Sequence, residues 1–188
     1  MKGVLKFLVL VALPGLATAG ACLPVVGTVK LVPESTCMIS GKYPTLFFLG
    51  TVDSSQPWCF TTTLKLLGFG TSTGYSGVTS EPLRDVNGGV ISTPAHVPVD
   101  DGVAPRQQVL TARSWLPINL TNGTVISTAE VIIIQPDSNP TLPPKRVTEQ
   151  SVITSATGGL LHNATGGFVI TGNSIGQEAP IKGELCLP

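Results

Sequence analysis

Short runs rich in Val, Ile, Thr and Phe recur along the chain, divided by Gly, Pro, Asn and Ser. The clearest alternation lies in 58–67. There Phe60, Thr62, Leu64 and Leu66 share one parity, and Thr61, Thr63 and Lys65 take the other. Period two with one apolar face marks a strand laid against a core. Similar runs predict strands over 25–32, 45–52, 90–93, 108–116, 124–134, 146–154, 167–172 and 181–187. Asn122-Gly123, between Leu120 and Val125, predicts a tight hairpin because the pair takes positive φ cheaply. Pro117 in the incoming arm predicts a bulge or a shortened strand. Gly68-Phe69-Gly70, Gly74 and Gly77 read as turn glycines, since they miss the G-x-G-x-x-G spacing of a dinucleotide loop and no βαβ unit surrounds them. Pro-rich stretches over 93–106 and 136–144 read as long surface loops rather than linkers, because each half alone has too few strands to cover its edges. The pattern predicts an all-β fold: a single antiparallel barrel of about eight to ten strands, with a β-sandwich as the alternative.

The N-terminal region follows a different pattern. Met1 to Lys6 is a short basic start, 7–13 is continuously apolar, and Pro14-Gly15 ends the run. The small-residue patterns Ala17-Thr18-Ala19 and Ala19-Gly20-Ala21 follow. This is the layout of a cleavable secretory signal over 1–19, with cleavage as late as 21, and it leaves one domain over 20–188. The apolar run is shorter than the ~20 residues that span a bilayer, and no later run is longer, so no transmembrane segment is expected. A cut directly before Cys22 would expose it to lipidation, but Ala19 stands where bacterial lipoprotein signals favour Leu. The expected location is secreted or periplasmic, with a lipid anchor on Cys22 as the lesser reading.

Export changes the reading of the four cysteines, Cys22, Cys37, Cys59 and Cys186. In an oxidising compartment an even count predicts two disulfides. Three pairings exist; the favoured one joins Cys37 to Cys59 and Cys22 to Cys186, the second pair tying first strand to last as a closed barrel permits. Zinc is the rival reading. No C-x-x-C pair exists and the histidines are His96 and His162 alone, so no metal is expected.

Charged residues make up 12% of the chain and the formal charge is +0. Without clustered Lys and Arg, nucleic acid is excluded as a partner. Gly172-Asn173-Ser174-Ile175-Gly176 matches the G-x-S-x-G nucleophile elbow, yet no His follows it and Pro180 spoils the helix that the elbow requires; it reads as a turn between the last two strands. His162, in a Gly-rich turn, and His96, in a Pro-rich loop, read as solvated, and so does Asp100-Asp101-Gly102, which lacks the alternating ligands of a calcium loop. Asn119, Asn122 and Asn163 open glycosylation sequons, relevant only in a eukaryotic host. Arg113, Glu130 and Glu149 lie inside strand-like runs. Facing inward they would form a polar spot in a cavity; the outward reading is favoured, because exposure is the norm for these residue types. No catalytic residue and no cofactor is assigned.

The C-terminal third carries a resemblance. The stretch from Val152 to Gly172 resembles a segment of the allene oxide cyclase and dirigent-like barrels, whose "G-G-T-G-x-aromatic-x-x-A-x-G" turn joins two strands. Thr157-Gly158 and Ala164-Thr165-Gly166 match it, Ser155-Ala156 replaces the leading glycines, and Leu160 stands at the aromatic position. Asn122-Gly123-Thr124 is similar to that group's "N-G-T-L" strand start, and Gly183 to Cys186 looks like the endings of exported bacterial members. The likeness covers 122–186. It implies an eight-stranded barrel with a largely apolar lumen; plant members cyclise an unstable fatty-acid epoxide or steer radical coupling of phenols. No catalytic motif of that group lies around Arg113, Glu130 or Glu149. The functional expectation is therefore an exported non-catalytic barrel that binds a small apolar ligand. The alternatives are an isomerase or cyclase using Glu130 or Glu149 with Arg113, and a cell-envelope structural or adhesive module.

Overall fold

The computed structural model describes residues 20–52, 58–84, 87, 90–92, 108–118, 123–135, 137, 144 and 146–188. The leader, His96, Asp100-Asp101, Asn119 and Asn122 lie outside the described residues, as does most of both Pro-rich stretches.

Among the described residues there are ten strands: β1 (Cys22–Pro33), β2 (Cys59–Leu66), β3 (Gly70–Thr79), β4 (Leu83–Arg84), β5 (Val90–Ser92), β6 (Gln108–Ile118), β7 (Thr124–Gln135), β8 (Arg146–Thr157), β9 (Thr165–Thr171) and β10 (Ala179–Cys186). Eight of them close into an antiparallel barrel in the order β1-β10-β9-β8-β7-β6-β3-β2, and β4 and β5 form a separate pair. The barrel reading thus stands and the sandwich alternative falls away. Closure runs through β1. Its first half pairs with β10 from Cys22↔Cys186 to Val29↔Ala179, and its second half with β2 from Gly27↔Leu66 to Pro33↔Phe60. Past Val29 its freed edge is taken up by the turn before β10, where Leu31 N–H donates to Ser174 O at 2.8 Å and Gly176 N–H donates to Leu31 O at 2.8 Å. The GNSIG segment is therefore a structural turn that seals one seam.

Strand parity fills the lumen. Val25, Val29, Leu64, Leu66, Ile118, Ile126, Phe168, Ile170, Ile181 and Leu185 are buried in one apolar cluster. Leu161 and Ala164, from the β8–β9 turn, join that cluster, while His162 beside them is exposed. Thr124 helps hold this cap: its hydroxyl donates to Gly158 O at 2.9 Å and accepts from Leu161 N–H at 3.3 Å. Coiling the strands tightly enough to close brings backbones together where no side chain fits. A Cβ on Gly27 would lie 1.9 Å from Lys65 O, and one on Gly183 2.0 Å from Gly167 O.

A second small core lies outside the barrel wall. The segment between β1 and β2, with 3₁₀ turns at Met38–Gly41 and Leu49–Thr51, packs Cys37, Ile39, Phe48 and Cys59 against Tyr43, Leu46, Tyr75 and Trp115. The Tyr43 hydroxyl donates to Ser114 O at 2.7 Å. The disulfides join Cys37 to Cys59 and Cys22 to Cys186.

Several sequence expectations need correction. Residues 45–52 form no strand; Phe48 makes a single bridge to Thr79, and the run is apolar because it covers the wall. Gly74 and Gly77 are not turn glycines but lie within β3, where a Cβ on Gly77 would approach Ile39 Cγ2 to 2.7 Å and Phe48 Cδ1 to 2.8 Å. Pro117 neither bulges nor shortens β6, which continues to Ile118 in unbroken register with β7. It is tolerated because the pairing of β6 with β3 ends at Trp115↔Tyr75, so no ladder bond on that edge needs its missing N–H.

Replacing Gly27 by Ala forces β1 and β2 apart and is expected to cost roughly 1–3 kcal/mol in urea unfolding with disulfides intact. Gly41→Ala, whose Cβ meets nothing within 4 Å, is expected to change stability by less than ~0.5 kcal/mol.

Candidate functional site

The lumen is not apolar all round. On β7 the even residues point inward, so Thr124, Ile126, Thr128 and Glu130 are buried in sequence. On β8 the inward set is Glu149, Ser151 and Ile153. Glu130 is only 5% exposed and Glu149 8%, which overturns the outward reading of both glutamates. The exposure expected of a charged side chain yields here to parity, since register leaves each strand position one face. Arg113 does face outward. It forms a bidentate pair with Glu81, Nε and Nη2 each donating to a carboxylate oxygen at 2.7 Å. This pair borders a groove of ≈ 250 Å³ lined also by Ala129, Glu130, Gln150 and Val152.

Around Glu130 the wall is lined with hydroxyls. Thr62 and Ser76 approach to 2.6 Å, Ser76 and Ser114 to 2.6 Å, and Ser114 bonds Glu130. Thr128 donates to Glu130 Oε1 at 2.6 Å. Thr62, Ser76 and Ser114 thus form a chain of hydroxyls that ends on Glu130. Burial raises the Glu130 carboxyl above the usual range, while Ser114, Thr128 and the Arg113 charge behind the wall oppose the rise. Sequence reasoning missed these hydroxyls; their signal was a Ser or Thr on the inward parity of β2, β3, β6 and β7.

Glu149 sits differently. Its register neighbours are Ile132 on β7 and Ile170 on β9. Among the described residues its carboxyl has no hydrogen-bond partner. Burial, reinforced by the nearby Glu130 charge, pushes it well above the usual carboxylate range. Because Glu130 pairs with Ser151 and Glu149 with Ile132, the two glutamates are diagonal neighbours, ~7–8 Å apart at their backbones. Like charge on neighbouring carboxyls favours keeping a proton on one of them, and burial without a hydrogen bond favours Glu149 for it.

Next to the pair lies an apolar cluster. Val78, Leu110 and Leu49 are buried there, with Trp58, Ile132 and Ile134 half-buried against them. The rest of the wall is apolar as well, with Phe168 and Ile170 on the adjacent β9 and Val29, Leu64 and Ile181 beyond. The arrangement is an amphipathic lining: one polar strip holding two carboxyls, flanked by apolar side chains. Cys22, Glu184 and Cys186 lie close enough to suggest metal ligands, but both sulfurs are held in the disulfide.

No family model, curated protein or solved structure matches this chain.

The two buried or paired acids give opposite pH signatures. Glu149, whose folded value is raised, contributes stability that is full below the ordinary carboxylate value and lost as pH rises through its folded value. Glu81, lowered by Arg113, contributes stability present above the ordinary value and lost as pH falls. Glu149→Gln is therefore expected to raise the melting temperature at pH 7 and to converge on wild type near pH 4. Glu81→Gln is expected to lower stability at pH 7 by up to about 1 kcal/mol and to converge on wild type only further into the acid range, as pH falls through the lowered Glu81 value. Melting curves from pH 3 to pH 8 read both.

Proposed function

We propose that this chain is an exported barrel, secreted or periplasmic, that holds a small and mostly apolar molecule in its lumen with a polar atom set against Glu149. The observation that carries this reading is the Glu149 carboxyl: on a buried side chain, without a hydrogen-bond partner among the described residues, and next to an apolar cluster. No fully buried side-chain polar atom among the described residues is left unsatisfied, so the Glu149 oxygens keep access to water-sized space, which is where a ligand atom fits. The two disulfides suit an oxidising compartment, and no helix among the described residues is long and apolar enough to cross a membrane.

A second reading has its own support. Two neighbouring carboxyls whose surroundings give them different proton affinities are the pairing that general acid–base isomerisation uses, and this agrees with the resemblance to the allene oxide cyclase and dirigent-like barrels. Arg113 takes no part in it, being outside the wall and paired with Glu81. Recovery of a bound molecule unchanged after prolonged incubation favours carriage; its conversion into an isomer of equal mass favours the enzyme.

The neutral probe N-phenyl-1-naphthylamine tests lumenal binding by its rise in fluorescence. Ile132→Trp adds bulk beside Glu149 without adding charge and is expected to weaken the probe by about tenfold while the fold, read by circular dichroism, is kept. A variant that binds as tightly as wild type places the probe elsewhere and overturns the lumenal reading.

A further inference from the structure

The inward-facing charge is all of one sign. Among the described residues the lumen presents two carboxyls and no Lys, Arg or His: Arg113, Lys65, Lys30 and Lys182 occupy outward positions, and His162 is exposed on the closed end. The strip next to the carboxyls offers hydroxyls only, and those of Ser114 and Thr128 are already spent on Glu130. What is missing beside Glu149 is a donor, and what is missing from the pair is a positive charge.

We propose that the lumen selects a hydrophobic monoamine, its ammonium group seated between Glu149 and Glu130 and its hydrocarbon body against Val78, Leu110, Ile132 and Ile134. This rests on the lumenal-binding reading above and adds the chemistry of the head group. An ammonium carries three donors and no acceptor, matching a site that offers carboxylate oxygens and has no donor to spare for an acceptor group. Backbones ~7–8 Å apart on adjacent strands let one nitrogen reach both side chains with charge-assisted bonds of about 2.8 Å. A divalent metal fits less well, because it seeks six or more oxygen ligands or retained water, and the approach here is lined by isoleucine and leucine. A carboxylate or phosphate head would meet like charge.

The titration follows from the same geometry. Among the described residues the groups packed against Glu149 bring no charge besides Glu130: β9 presents Phe168 and Ile170, β3 presents Ser76 and Val78, and β6 presents Leu110, Ala112 and Ser114. Tyr43 and Arg113 act only from outside the wall. Burial and the Glu130 charge favour the protonated form of Glu149 in the empty lumen and an incoming ammonium favours the ionised form, so binding is coupled to proton release and tightens as pH rises from the acid side.

The test is calorimetric titration of the full mature chain at pH 7 with 1-aminooctane, 1-octanol and octanoate, in two buffers of different ionisation enthalpy. The amine is expected to bind at least about tenfold tighter than the alcohol and to release a proton, with octanoate weakest. Glu149→Gln is expected to bring the amine down to the level of the alcohol. Glu130→Gln is read alongside, with circular dichroism confirming that each variant folds. Alcohol or octanoate binding as tightly as the amine, or an amine indifferent to both folded variants, overturns the charge selectivity and leaves lumenal carriage standing. Failure of all three probes overturns both.

Discussion

β1 hydrogen-bonds along both edges, to β10 with its first half and to β2 with its second, and the rest of the molecule depends on that double pairing. An open eight-stranded sheet of this composition would present two unpaired edges and one naked apolar face. Once β1 joins its ends, every barrel strand is given an inside and an outside. Closure also dictates where side chains are forbidden, as the backbone contacts at Gly27 and Gly183 show. The Cys22–Cys186 disulfide joins register partners of the closing pair, so it ties the chain ends across the seam that matters.

The site follows from that parity. Residues 126, 128, 130 and 132 share a face of β7, and the same face carries Ile126 into the apolar cluster. Glu130 cannot turn outward without taking Ile126 and Thr128 with it. What the protein does with this constraint differs between the glutamates. Around Glu130 it supplies a chain of hydroxyls from three other strands; around Glu149 it supplies isoleucine on both sides. Two identical side chains in one lumen thereby acquire different proton affinities, and the difference comes from neighbours rather than from residue type.

Much of the architecture was legible from alternation alone. Phe60, Thr62, Leu64 and Leu66 read as an inward face and are one. The misses have physical causes. β3 reads Gly-Thr-Ser-Thr-Gly-Tyr-Ser-Gly, with too little apolar contrast to show a period, because its inward positions are hydroxyls or glycine and its outer Gly77 makes room for Phe48. The run 45–52 has a strand's composition but serves as outer cover, and composition does not distinguish the two uses. For Glu130 and Glu149 the parity was present in the sequence, but Val131 to Ile134 is apolar on both faces and hid which side was the core. The hydroxyl chain was not legible at all, since it joins positions on different strands that only register brings together.

The choice of residue at 130 and 149 can be weighed against stability. A barrel lumen of this size packs well with Val and Ile, and the wall opposite the glutamates is built that way. A buried carboxyl is costly even when hydrogen-bonded, and more so when it is not. Glu130 has hydroxyls to offset part of that cost; Glu149 has none among the described residues and accepts a proton instead. Packing alone therefore favours an aliphatic residue at 149, between Ile132 and Ile170, and a carboxyl there lowers the stability of the empty barrel. The same carboxyl raises the affinity for any guest that supplies a donor or a cation, by as much as the empty state leaves unsatisfied. A group that costs stability when the lumen is empty and recovers it when the lumen is filled is what a binding site requires and a filler residue does not.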